Sequence, residues 1–340
     1  MIELDGKEAG GQYLRTAVAL SAITGKSVKI SNIRGGRPEP GLRGQHIEGI
    51  TAIGELCNAK IDGLILNSKE LTFEPQQLTP KDLEIEIATA GSIGLVLQAL
   101  LLVTSQLKQP IKIHFKGGGT WGKWAPPVSY IENVFLPLLG EKTKLKVIKE
   151  GFYPKGGAEV EVETAPWEAK KIEIVNKSLV QGVYGVSSAS LQLQRGKVAE
   201  RQVDAAGAYI QQKLGKVLDC QCKYDSTDSR GSGIMLFIKT ENGVIGADAL
   251  GAIEKAAEEV GREAARYLVD EYFGGPVDRH AADMLLPYMS IASVALSQEC
   301  KIATSEITNH IITNAHVIEK FLPVKFEIDK TKKTIEVRKV

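Results

Sequence analysis

The stretch Leu83-Glu84-Ile85-Glu86-Ile87-Ala88-Thr89-Ala90-Gly91-Ser92-Ile93-Gly94-Leu95-Val96-Leu97-Gln98-Ala99-Leu100-Leu101 changes its period halfway along. Up to Ile87, apolar residues alternate with glutamate, the period-2 pattern of a half-buried strand. Ala90-Gly91-Ser92 reads as a small-residue loop, and residues 93–105 as an apolar helix. Ile111-Lys112-Ile113 then forms a strand leading to Gly117-Gly118-Gly119. The same order stands upstream. Ile2-Glu3-Leu4 is a strand, Ala9-Gly10-Gly11 a loop, residues 13–24 a helix, and Val28-Lys29-Ile30 a strand running to Gly35-Gly36. Gly10 and Gly91 are 81 positions apart, and Gly35 and Gly118 are 83 apart. Each glycine loop is followed by a proline-containing segment and another helix, at 45–57 and 128–139. A matched order at a matched period predicts duplicated β-α-β-α units, two helices on one sheet.

A third unit comes late. Asp278-Arg279-His280-Ala281-Ala282-Asp283 opens an apolar helix, Thr308-Asn309-His310 opens another at 311–321, and residues 325–340 alternate as two closing strands. The repeat interval counted on from Gly91 reaches position 172, whereas the matching helix opens near 280, an excess of 108 residues. An inserted domain over 181–275 accounts for it, leaving 1–180 plus 276–340 as the large domain. Within the insert, 183–193 reads as strand and 197–214 as helix. Strands at 235–238 and 244–245 flank a turn at Asn242-Gly243. Ile253, Ala257, Val260, Ala264 and Tyr267 recur at helical spacing, and Gly274-Gly275-Pro276 is the exit hinge.

With 42 basic against 41 acidic side chains, any surface for nucleic acid has to be local. The N-terminal residues enter a strand pattern without an apolar leader, and the longest apolar stretch falls short of the ~20 residues that span a bilayer. A cytoplasmic location with no membrane partner is expected. Four cysteines fit reduced thiols. Cys220-Gln221-Cys222 resembles half a metal site, but no second pair accompanies it.

Several polar residues ask for a reason. Glu8, Gly10, Gly11, Gln12 and Arg15 sit where a strand feeds a helix, which suits either an ordinary capped turn or a phosphate site with a carboxylate for a divalent metal. Three arginines, Arg34, Arg37 and Arg43, crowd one Gly/Pro-shaped loop ahead of Gln45 and His46. An anion relieves their repulsion; solvation is the plainer alternative. Gln98 lies in an otherwise apolar helix and needs partners, from a core network or a ligand. Trp121, Trp124, Pro126 and Pro127 suit a wall for a base, or simple packing. His280 and Asp283 share a helix face. His114 reads as an exposed strand residue, and His316 as solvent-facing. His310 arrives on a polar loop at a helix start, where the dipole favours a phosphate beside a neutral imidazole able to attack phosphorus.

Together these residues resemble the RNA 3′-terminal phosphate cyclase family over essentially the full chain. The matching stretches are 4–15, 34–46, 90–98, 117–127, Gly151-Phe152-Tyr153-Pro154-Lys155-Gly156-Gly157, 278–283, His310-Ile311-Ile312-Thr313-Asn314 and Phe321-Leu322-Pro323. The resemblance implies an α/β (α+β) fold, three β-α-β-α-β-β units forming a large domain with an inserted smaller α/β domain.

It also implies an activity, ATP-dependent conversion of an RNA 3′-terminal phosphate to a 2′,3′-cyclic phosphate. His310 attacks the α-phosphate of ATP and releases pyrophosphate. AMP passes to the RNA 3′-phosphate, and the vicinal 2′-hydroxyl closes the ring and expels AMP. By that carry-over Glu8 binds a divalent metal (Mg or Mn), and Arg15, Arg34, Arg37, Gln45 and His46 hold phosphates or RNA. Gln98, Pro126, His280, Ala281, Ala282, Asp283 and Met284 form the ATP site. Two positions depart from the family's pattern, His280 where a tyrosine is frequent and Met284 where a glutamine is. The same fold also serves non-catalytic ribosome-assembly relatives, which have no need of a nucleophile at His310.

Overall fold

Strand β1 (Ile2–Asp5) pairs in parallel with β2 (Val28–Ser31), and α1 (Gly11–Thr24) makes the crossover between them. The computed structural model describes every residue of 1–340 except Ala9 and Trp124. The first residue of the Ala9-Gly10-Gly11 loop and the Trp124 part of the suggested apolar wall therefore lie outside the described residues. Helix α2 (Gly44–Cys57) follows, then β3 (Lys60–Asp62) and β4 (Leu71–Glu74), giving sheet order β1-β2-β4-β3.

The second unit repeats that order. Strand β5 (Leu83–Ser92), α3 (Ile93–Thr104) and β6 (Lys112–Gly119) make the parallel crossover. The next helical stretch runs as α4 (Val128–Tyr130), a π-helical turn over Ile131–Phe135, and α5 (Leu136–Leu139). Strands β7 (Lys144–Lys149) and β8 (Glu159–Glu163) complete the order β5-β6-β8-β7. One detail differs from the sequence reading. Ala90-Gly91-Ser92 is not a separate loop; β5 carries through to Ser92, with its pairing interrupted between Ile87 and Ser92.

The third unit begins with a two-residue strand, β9 (Glu173–Ile174), close to the position the repeat interval reaches. The chain then builds β10 (Val180–Ser190), α6 (Val198–Leu214), β11 (Leu218–Asp225), β12 (Ser232–Thr240), β13 (Val244–Leu250) and α7 (Ala257–Gly274). These make a separate sheet, β11-β10-β12-β13, with its own apolar cluster from Val183 to Leu268. The buried stripe of α7 is Val260, Ala264 and Leu268. Ala257, Val260 and Ala264 are buried at the spacing read from the sequence, whereas Ile253 precedes the helix and is 95% exposed, and Tyr267 turns outward beside the buried Leu268. Helix α8 (Arg279–Leu296), β14 (Cys300–Ala303), α9 (Asn309–Phe321), β15 (Val324–Asp329) and β16 (Thr334–Lys339) then finish the third unit. Its sheet order, β15-β16-β14-β9, matches the other two, with β9 and β14 parallel. The fold is the mixed α/β arrangement of three β-α-β-α-β-β units that the sequence led us to expect.

Helix α1 packs against α2, α3 and α9, which explains why Ala17, Val18, Ala19 and Leu20 have no exposed surface. A helix apolar on all sides belongs in the middle of a core. Among the described residues no helix is long and apolar enough to cross a membrane.

Asp278 ties the segment between β9 and α8 to the rest. Its wholly buried carboxylate caps α8, accepting from the amides of His280 (3.0 Å) and Ala281 (2.9 Å). The same group accepts from the Tyr130 hydroxyl at 2.6 Å and from the Gly246 amide on β13 at 2.9 Å. Asp278→Ala strands these donors in a buried place and removes the cap, so we expect a loss of about 2–4 kcal/mol in denaturant unfolding. A loss within error of zero would show that the four bonds contribute nothing net.

Candidate functional site

The loop before α1 is where the predicted residues meet. A methyl group on Gly10 would lie 3.4 Å from both Arg37 Nη2 and His310 Cε1. On Gly11 it would lie 2.5 Å from His46 Nε2 and 3.2 Å from Arg15 Nη1. Gly10 has ordinary extended backbone, and a methyl there would only touch the ends of both side chains; the close approach is at Gly11. At Gly10 and Gly11 the starts of α1, α2 and α9 come together.

His310 is exposed at the start of α9, beyond the cap in which Thr308 Oγ1 accepts from the Ile311 amide at 3.3 Å. Desolvation, then the charges of Arg15, Arg37 and His280, lowers its pKa below the ordinary histidine value. His46 is buried, and its Nδ1 accepts the Arg43 amide at 3.0 Å. Burial, then Arg15, Arg34 and Arg43, pushes its pKa down to about 3. A neutral ring accepting at Nδ1 carries its proton on Nε2, the atom facing Gly11.

Arg15 is half-buried, and burial lowers its pKa to about 10, with Asp283 opposing. It therefore remains charged at neutral pH. Asp283 accepts from Gln12 Nε2, and Asn314 Nδ2 donates to its Oδ1 and to its backbone oxygen, both at 3.1 Å. Burial pushes the Asp283 carboxyl up to about 6. This junction joins α1, α8 and α9 and borders a cavity of about 40 Å³ lined also by Arg15, Gln98 and Met284. Asn314 Oδ1 is buried with no hydrogen-bond partner among the described residues, leaving an acceptor in that cavity wall to be satisfied by a ligand or water.

The other predicted residues sort differently. Of the three crowded arginines, Arg43 is paired with Glu39 and bonds Asn67 Oδ1 at 3.1 Å. Arg34 donates to the Gly41 carbonyl at 2.9 Å, from backbone in the left-handed region at φ +53°. Arg37 alone reaches the His310 side. Gln45 Oε1 accepts the Ser92 amide at 2.9 Å, linking the start of α2 to that of α3. Ala281 and Ala282 are wholly buried, and their amides already bond Asp278, so they offer helix packing rather than surface. His280 is exposed, its ring edge-on to Tyr130 at 6.2 Å. Pro126 lies against the start of α3, where its carbonyl would be 2.8 Å from a methyl on Gly94, and is not part of the cavity wall. His114 is not an exposed strand residue. It is half-buried between Glu84 (3.1 Å), its partner on β5, and Glu159 (3.0 Å), which stands diagonally across on β8.

Sequence reasoning did not single out Asn314 or Tyr130. Asn314 stands four residues after His310, a helical spacing that puts the two on one face and was available as a signal; Tyr130 carried none. Glu8 is exposed in the turn ahead of α1. Among the described residues no group of three or more histidines, cysteines or acids is set to hold a metal, the Cys220–Cys222 pair included. The donor set fits a cation that takes one carboxylate and completes its shell with ligand phosphates and water, as Mg²⁺ does.

The buried neutral His46 has a measurable consequence. Its pKa is depressed on folding, so the unfolded chain takes up a proton that the folded chain refuses as pH falls below about 6.5. Stability attributable to it is intact above that pH and falls by about 1.4 kcal/mol per unit on acidification towards its folded value. In paired thermal melts, His46→Asn should lose less stability than wild type between neutral pH and pH ~5. Parallel curves would contradict the assignment.

Comparison with known sequences agrees with this geometry. The sequence model of a family described as RNA 3′-terminal phosphate cyclase matches residues 6–328. The chain is 41% identical over 335 residues to a protein of Thermococcus kodakarensis named RNA 3′-terminal phosphate cyclase, covering 96% of this chain and 94% of that one. Proteins of the same name from Methanopyrus kandleri (40% identical, 99% of each chain) and Pyrococcus abyssi (41%, 97% and 95%) are similar throughout. The match extends past β9, the intervening sheet and the Gly10–His310 junction alike, so the chain belongs to the RNA 3′-terminal phosphate cyclase family.

Proposed function

We propose that this chain is an ATP-dependent RNA 3′-terminal phosphate cyclase that works through a histidine–AMP adduct on His310. The observation that carries the reading is the meeting of the His310 imidazole with Arg37 at the Gly10 loop, since an attacking ring needs a cation on the phosphate it attacks. In the first step an imidazole nitrogen bonds the α-phosphorus of ATP and the bond to pyrophosphate breaks. In the second, an oxygen of the RNA 3′-phosphate takes the AMP, freeing the ring. In the third, the RNA 2′-hydroxyl attacks its own 3′-phosphorus, loses its proton and displaces AMP. The last step is intramolecular, which supplies a large effective concentration.

The chain's own groups divide the work. Arg15 and Arg37 neutralise developing charge, and His46 offers a fixed Nε2–H donor beside them. Arg34 and Gln45 hold the shape of the phosphate loop and of the α2 and α3 starts. Gln98, Met284 and Asp283 at the cavity, with Pro126, His280 and the Ala281-Ala282 turn of α8, form the adenylate side. A divalent cation brought by ATP, steadied by Glu8, would supply further charge neutralisation. Residues 181–275 act as a distinct inserted domain, and a cytoplasmic role in RNA processing fits this chemistry.

Incubation with α-labelled ATP should yield an acid-labile, alkali-stable AMP adduct. His310→Ala should lower it by about three orders of magnitude or more, and a 3′-phosphorylated oligonucleotide should become phosphatase-resistant only with intact His310. An adduct undiminished in His310→Ala would overturn the reading.

The pH dependence gives a second test. With its pKa lowered, His310 stays unprotonated below the ordinary ~6.5, so adduct formation should persist into mildly acidic buffer. Arg37→Gln removes one positive neighbour, raises the His310 pKa, and should move the acid limb to higher pH. A limb that does not move, or moves down, would count against Arg37 as the ring's electrostatic partner.

A further inference from the structure

The hairpin tip after β7 holds an aromatic ring in water. Tyr153 is 80% exposed, with Pro154 and Lys155 exposed beside it. The rest of the hairpin is fixed. The Gly156 amide donates to the Phe152 carbonyl at 2.8 Å, and the Lys155 amide to Ser229 Oγ at 3.0 Å. Phe152 is buried and stacks on Trp121 at 6.4 Å. Gly231 leaves it room, for a methyl there would lie 2.3 Å from Phe152 Cγ. A loop so anchored presents the tyrosine ring with little ordering entropy left to lose on binding.

The surroundings of the tip are cationic. Lys149 pairs with Asp228 at 2.7 Å, and Lys155 lies close enough to help lower the Asp228 pKa. Arg230, exposed, reaches Gln192 Oε1 at 3.5 Å. Lys149, Lys155 and Arg230 thus outnumber Asp228 and the half-buried Asp225, whose Oδ2 accepts the Glu150 amide at 3.2 Å. The tip also adjoins the site. A methyl on Gly156 would lie 3.1 Å from Ala90 Cα, and one on Gly91 would lie 3.1 Å from Gln45 Cβ, one residue before His46.

We propose that the Tyr153-Pro154-Lys155 tip is a platform for single-stranded RNA upstream of the 3′ end, Tyr153 stacking on a base and Lys155 meeting a phosphate. A rigid exposed ring among cations, continuous with a phosphate-binding loop, has the chemistry of sequence-tolerant strand binding. The proposal rests on the cyclase reading for its choice of RNA, and its test does not require turnover.

The test is anisotropy with fluorescent 3′-phosphorylated oligoribonucleotides of about 12 and about 3 nucleotides, without ATP. Tyr153→Ala should weaken the long oligonucleotide about tenfold and the short one less than about twofold, while Tyr153→Phe keeps affinity within about twofold. Lys155→Ala should reduce the slope of log affinity against log salt by about one. Thermal midpoints equal to wild type guard against misfolding at this surface position. Wild-type affinity of Tyr153→Ala for the long oligonucleotide overturns the proposal, as does an equal loss at both lengths. Absence of an AMP adduct would sink the cyclase reading while leaving this binding result to stand or fall by itself.

Discussion

The imidazole of His46 occupies the place where a side chain on Gly11 would begin, and the architecture of the site follows from that contact. It brings the start of α2 onto the start of α1. Gly10 admits α9 through His310, Gln12 holds α8 through Asp283, and Gln45 holds α3 through the Ser92 amide. Five helices thus begin within one neighbourhood, drawn from all three units. Helix α1 has no side-chain cap and α9 opens with His310 exposed, so the positive ends of their dipoles favour an anion at this junction before any arginine is counted.

The charges then reinforce one another. Arg15 and Arg37 are held near His310, and Arg15, Arg34 and Arg43 near His46. Concentrated like charge is unfavourable in the free protein, and it adds to burial, the larger cause, in lowering the pKa of both imidazoles. A polyphosphate would relieve it, while a neutral imidazole retains the lone pair a nucleophile needs. The two histidines differ in freedom: His46 is locked by the Arg43 amide, whereas His310 stands open at its helix start.

Much of this was legible in the residues. The change of period at Ile87 and the matched interval led to the repeated β-α-β-α order of the first two units, because alternation and helical spacing are local properties; the strand orders and the two-residue strand at Glu173–Ile174 came only with the structure. Glycines at 10 and 11 pointed to the loop. What could not be read was which of three arginines reaches His310. That depends on Glu39 pairing with Arg43 and on Arg34 turning back to Gly41, contacts set by loop closure. His114 was misjudged for a related reason: its acidic partners come from neighbouring strands, and register is not written in a strand's own sequence. The extension of β5 to Ser92 likewise comes from pairing with Gly119, a partner far along the chain.

The two-residue strand β9 has a consequence for how the chain acquires its shape. Among the described residues its one neighbour in the sheet, β14, is separated from it by more than a hundred residues, and the ladder between them has two registered pairs, Glu173 with Lys301 and Ile174 with Ile302. Closing so long a span for so few bonds carries an entropic cost that the ladder alone does not recover. Lys177 bonds the Phe273 carbonyl, so the entry and exit of the intervening sheet lie side by side. Once that sheet has formed, the effective span shrinks to a short bridge. Pairing of β9 with β14 is thereby made less costly by the compactness of the intervening sheet, a coupling set by connectivity.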